Sequence, residues 1–207
     1  MGEIKAIETV YNGYRFRSRL EARWAVFFDA CLIKYHYEPE GFRLYDGTFY
    51  LPDFYLDDFN IYVEIKPLNR DVVTHVGDGN QWEQKCRNFR DSTGCAILLC
   101  YGDPAEDIYK YLFAYDLDDD SAGSSEWYCN FYELDGKIVL ITEPSRPDRS
   151  IRVTETFKEN DNIGTWNEFK DEGFYHSFYD CESRDFLNTA KTMARQARFE
   201  HGGTIKF

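Results

Sequence analysis

Positive charge is scarce in this chain: 24 Lys and Arg stand against 37 Asp and Glu over 207 residues, a net charge of −13. Affinity for nucleic acid rests mainly on basic side chains that neutralise phosphates, so the balance argues against a DNA-binding enzyme. Apolar runs of membrane length are lacking, and the opening MGEIKAIETV has no signal-peptide profile. A cytoplasmic protein with no membrane partner is the expectation. The six cysteines, at 31, 86, 95, 100, 129 and 181, include no CxxC pair, and so point to neither a zinc ribbon nor a disulfide framework. Cys95 and Cys100 flank or lie in an apolar stretch and read as buried thiols. The four histidines (36, 75, 176, 201) make no HxH or HExxH spacing, and there are no internal repeats. Apolar and aromatic residues, in contrast, make up 43% and 18% of the chain. That suffices for a core, as one domain or one domain with an elaboration.

The negative charge is unevenly placed. Residues 1–40 hold six basic and six acidic residues, and 67–95 hold four of each. Residues 96–150 hold four basic against twelve acidic, including the run Asp116-Leu117-Asp118-Asp119-Asp120. Arg15, Arg17, Arg19 and Arg23 gather around the first helical stretch. Arg17 and Arg19 are candidates for contacting a phosphate; they equally fit a solvated helix face.

Two short runs rich in aromatic and β-branched residues, Phe49 to Leu56 (FYLPDFYL) and Ile61 to Lys66 (IYVEIK), flank the turn-like quartet Asp57-Asp58-Phe59-Asn60. A four-residue loop pairs Leu56 with Ile61, so cross-strand partners sum to 117. Asp53 and Glu64 then face each other with Cβ atoms about 5 Å apart. Lys66 falls on the same face, because side chains alternate with period two. A slip of one residue would separate the carboxylates. Like charges forced together raise one pKa or repel, and a divalent cation resolves that conflict. The plainer alternative is a solvated hairpin face with a cross-strand ion pair. Pro52 lacks a ladder donor and suits a strand start or a bend.

Phe16 to Leu32 has apolar residues at 16, 20, 24, 27 and 31, one buried stripe of a helix that Ser18 or Asn12 could start. Glu21 lies at the edge of that stripe and needs a partner there. Arg17 or Arg23 would serve; so would a cation shared with the hairpin.

The order helix with Glu21, hairpin with Asp53 and Glu64-Ile65-Lys66, helix Gln81 to Arg90, strand Ala96 to Cys100 resembles the PD-(D/E)xK nuclease superfamily. The wording of residues 11 to 66 is similar to small phage and bacterial proteins of that superfamily, and the final ARQARFEHG echoes it more faintly. The resemblance implies an α/β, restriction-endonuclease-like αβββαβ core and Mg²⁺- or Mn²⁺-dependent cleavage of DNA, with RNA the less favoured substrate. It implies that Asp53, Glu64 and the Ile65 backbone carbonyl bind the metal. Lys66 would orient or activate the attacking water, and Glu21 would complete the site. Gln84 or Lys85, early in the next helix, is a candidate to reach back toward the metal.

The expected division is a nuclease core over 1–115 and an acidic β-rich elaboration with a C-terminal helix over 116–207. Ala96 to Cys100 ends at the stop Gly102-Asp103-Pro104. Glu126 to Leu134 and Lys137 to Glu143 read as strands around the turn Leu134-Asp135-Gly136-Lys137. Ser121 to Ser125 reads as a flexible tip. Asp185 to His201 reads as a helix ended by Gly202-Gly203. Trp127 and Trp166 suit a core better than a base-stacking role. A competing function uses the acidity: the 103–120 region would engage a basic nucleic-acid-binding protein, as a decoy for DNA.

Overall fold

The computed structural model describes residues 6–68, 80–105, 110–115, 124–134, 137–143, 163–165 and 184–199. Strands β1 (Thr9–Tyr11) and β2 (Tyr14–Phe16) form an antiparallel ribbon ahead of helix α1 (Arg19–Ala30). Strand β3 (Tyr35–Tyr37) follows, then the small hairpin of β4 (Phe42–Arg43) and β5 (Phe49–Tyr50). Next come β6 (Phe54–Leu56), β7 (Ile61–Lys66), helix α2 (Gln81–Thr93) and β8 (Ile97–Tyr101). Strands β9 (Lys110–Tyr115), β10 (Ser124–Leu134), β11 (Lys137–Glu143) and β12 (Ile163–Thr165) precede helix α3 (Arg184–Gln196).

Eight strands make one sheet in the order β12-β11-β10-β9-β8-β7-β6-β3. It is mostly antiparallel; β7 with β8 and β11 with β12 are the parallel pairs. A parallel neighbour needs a crossover, which α2 supplies between β7 and β8. The sheet continues without a break across residue 115, since β9 pairs with both β8 and β10. The strands after 115 therefore extend the sheet.

Alternation along the central strands divides the apolar residues between two faces. Phe54, Leu56, Ile61, Val63, Ile65, Leu98 and Cys100 join Trp24, Phe27, Phe28, Leu187 and Ala190 in the cluster beneath α1 and α3. Tyr62, Ile97, Leu99 and Tyr101 join Leu44, Tyr50, Cys86 and Phe89 beneath α2 and the β4–β5 hairpin. No helix among the described residues is long and apolar enough to cross a membrane.

Several boundaries differ from the sequence expectation. Helix α1 starts at Arg19, because the Ser18 hydroxyl accepts the Glu21 N–H and donates to the Glu21 carboxylate, a reciprocal cap. Phe16 keeps its place in the core from β2. The expected strand Phe49 to Leu56 is split at Leu51-Pro52-Asp53, where proline has no N–H for a ladder; β5 pairs instead with β4. Helix α2 runs on to Thr93 and stops at Gly94, whose φ of 73° is left-handed. Half of the acidic 103–120 region, including the run 116–120, lies outside the described residues, as do Asp135-Gly136, Gly202-Gly203 and most of the 121–125 tip. Strands β10 and β11 nonetheless pair with Leu134 opposite Lys137. Asp103 at the start of the acidic block is tied to Arg195 of α3, 3.3 Å away.

Candidate metal centre

The β6–β7 register pairs Phe54 with Val63, Tyr55 with Tyr62 and Leu56 with Ile61. Every pair sums to 117, so Asp53 comes opposite Glu64, and a slip of one residue has not occurred. The Asp57–Asn60 loop closes the hairpin with Asn60 in the left-handed region at φ 52°. Phe54 and Val63 enter the α1 face, which sends Asp53, Glu64 and Lys66 together to the α2 face. Both carboxylates are buried, Asp53 at 2% exposure and Glu64 at 5%. They do not form the solvated hairpin face of the plainer alternative.

The backbone explains how Asp53 is held. Tyr62 donates its N–H to Ala96, and Lys66 receives the Gly102 N–H through its carbonyl, so alternate β7 residues hydrogen-bond toward β8. Ile65 between them directs its N–H and carbonyl toward β6. There the ladder has ended, and the Ile65 N–H donates to Asp53 Oδ2 at 2.7 Å. The side chain of Asp53 thus replaces the strand that Pro52 interrupts. The Ile65 carbonyl lies on the same edge of β7 as that hydrogen bond.

Lys66 forms an ion pair with Glu64 Oε1, and its ammonium sits 4.4 Å from the Trp82 ring centre, a cation–π contact. Burial alone would lower the Lys66 pKa, but Glu64 and Asp53 outweigh it and hold the ammonium above its usual range. Glu64 Oε2 is buried without a hydrogen-bond partner. The Tyr50 phenol beside it is kept protonated by burial and by neighbouring negative charge, with a contact to Glu64 that falls short of a full hydrogen bond. Burial, then Glu64, pushes the Asp53 carboxyl up to about 8, against the opposing pull of Lys66.

Glu21 is buried on the α1 layer and is fully engaged. It accepts from the Ser18 hydroxyl at 2.8 Å, the Tyr37 phenol at 2.6 Å and the Arg17 backbone N–H at 3.1 Å. Its link to the hairpin runs through Arg17, whose Nη2 lies 2.7 Å from Asp53 Oδ1 and whose Nε lies 2.7 Å from Glu38 Oε1. Arg19 is exposed on the first turn of α1 and shares no hydrogen bond or ion pair with these groups among the described residues. Helix phase corrects the expectation for α2. Glu83, Cys86, Phe89 and Arg90 face inward, while Gln84 and Lys85 are exposed, with Lys85 over the outer side of Trp82.

Tyr37, Glu38 and Tyr50 are the neighbours that the sequence reading missed. Period two from β3 would have placed Tyr35 and Tyr37 on one face. Glu38 gives no such signal: its backbone is left-handed at φ 46°, unusual for a residue other than glycine, and its N–H is anchored on the Asp53 carbonyl.

Among the described residues no group of three or more His, Cys, Asp or Glu side chains could hold a metal ion. The set that remains is two carboxylates and one carbonyl. Those hard oxygens fit Mg²⁺ or Mn²⁺, since Mg²⁺ takes one or two protein carboxylates and keeps several waters. The orphaned Glu64 Oε2 is an open donor of the required kind. Compared with protein-family models, curated proteins and solved structures, the chain matches none.

Proposed function

We propose that this protein is a divalent-cation-dependent phosphodiesterase acting on nucleic acid, with DNA the favoured substrate, on a restriction-endonuclease-like core. The observation that carries the proposal is the buried Asp53–Glu64 pair sharing one face with Lys66, which is ion-paired to Glu64. The chain order α1, β3, β6, β7, α2, β8 supports the fold assignment. A structural core gains nothing from two adjacent carboxylates, one of them with an unpartnered oxygen.

Asp53, Glu64 and the Ile65 carbonyl would hold the cation, which when bound would supply charge for the phosphoryl oxygens and lower the pKa of water. Lys66 remains an ammonium. It keeps Glu64 oriented, and its charge stabilises the negative transition state. Trp82 limits the directions in which that ammonium points. Glu21 is a positioning residue: through the Arg17 backbone and Tyr37 it fixes the segment entering α1 against β3.

The acidity of the chain has a direct consequence. Without a cation, the Asp53/Glu64 site disfavours a phosphate, so wild-type protein should bind duplex DNA weakly in a chelator and Ca²⁺ should strengthen binding severalfold, an enhancement that Glu64→Gln should lose. Titrations at two salt concentrations measure this. Tight, cation-independent binding with a steep salt slope would contradict the proposal. A protein inert toward DNA and RNA that captures a basic protein would instead favour the decoy function.

A further inference from the structure

The two carboxylates differ in what they have to spare. Glu64 keeps Oε2 unpartnered while Lys66 occupies Oε1. Asp53 has neither oxygen free: Oδ2 takes the Ile65 N–H and Oδ1 takes the Arg17 guanidinium. Glu64 Oε2 therefore offers a cation a buried oxygen with no full hydrogen bond to give up. At Asp53 a cation must compete with Arg17.

Arg17 is built to be displaced. Its side chain is about half exposed, at 54%, and lies outside regular structure between β2 and α1. Its guanidinium is a cation at any ordinary pH. Glu38 gives it a second anchor on the same side of the site. That anchor is fixed relative to Asp53, because the Glu38 N–H donates to the Asp53 carbonyl at 2.9 Å. A left-handed backbone outside glycine persists only where its surroundings hold it. Released from Asp53, the guanidinium would stay within reach of Glu38.

We propose that Arg17 is a displaceable partner of Asp53. It occupies Oδ1 until a divalent cation takes that carboxylate, and then, retained by Glu38, offers its planar donors to a phosphate oxygen of the substrate. The proposal rests on Asp53 and Glu64 being the cation site.

The test is a calorimetric titration of Mn²⁺ into wild type, Arg17→Ala and Glu64→Gln, with Ca²⁺-dependent DNA binding measured on the same proteins. Removing the competitor should tighten Mn²⁺ binding by Arg17→Ala about fivefold, as expected for one partly exposed charge pair. DNA binding in Ca²⁺ should weaken by a comparable factor. A merely structural Arg17 would loosen both. If Ala disturbs the loop, Arg17→Met keeps the apolar stem and should behave in the same way. Unchanged or weaker Mn²⁺ affinity in both variants, with normal wild-type binding, would overturn the role of Arg17 and leave the cation site standing. Absence of Mn²⁺ binding by wild type would overturn both.

Discussion

Glu64→Gln and Asp53→Asn are each expected to lower Mg²⁺- or Mn²⁺-dependent phosphodiester cleavage by a factor of about 10³ or more, with the fold intact. Both replacements keep shape and remove the charge proposed to hold the cation. In Asp53→Asn the new amide oxygen can still accept the Ile65 N–H, so the hairpin end remains closed. Lys66→Ala should cost about 10²-fold with less effect on metal affinity, because its ammonium acts on developing charge and binds no metal. Single-turnover cleavage, alongside circular dichroism and a metal titration of each variant, separates these effects. A Glu64→Gln protein that cleaves at the wild-type rate would remove Glu64 from the site.

The second large effect is on stability against pH. The Asp53 carboxyl is raised to about 8 by burial and Glu64, whereas an unfolded aspartate titrates near 4. The folded state therefore holds this proton more tightly. Its contribution to stability is fully present below pH ~4 and is lost as pH rises through about 8. Without added cation, the Tm of wild type should fall relative to Asp53→Asn between pH 6 and 9. At the upper end the variant should be the more stable protein, by a few kcal/mol in order of magnitude. Mn²⁺ should restore the wild type and leave the variant nearly unchanged. Cation binding near neutral pH should release a proton, seen as a dependence of the binding heat on the buffer. Parallel melting curves for the two proteins across this range would show that Asp53 ionises freely.

The residues that made the site legible in the sequence were those governed by short-range rules. Loop length and period-two alternation placed Asp53 opposite Glu64 with Lys66 beside them, and the hairpin keeps that register. Of the two helix starts the sequence offered, Ser18 and Asn12, the cap on Ser18 is the one that forms. Long-range or backbone-specific features were not legible. The pairing of β5 with β4 follows from Pro52 breaking the strand, yet nothing local names the new partner. Phase decided α2: a shift of one residue exchanges Glu83 for Gln84, and the apolar signal of QWEQKCRNF is too thin to set it. Arg17 was legible as a basic side chain near the site; its grip on Asp53 depends on Glu38, whose left-handed backbone no residue type announces. Charge distribution was readable as composition, but Asp103 shows that acidic residues in the 96–150 block also make internal ties.

The most direct test of the central claim is a crystal of the protein soaked in Mn²⁺ and measured for anomalous scattering. The expected result is one strong peak bridging Asp53 and Glu64 next to the Ile65 carbonyl, with Lys66 still on the same face and Arg17 turned from Asp53 toward Glu38. Ordered carboxylates that keep their Arg17 and Lys66 partners at saturating Mn²⁺, with no peak between them, would contradict it.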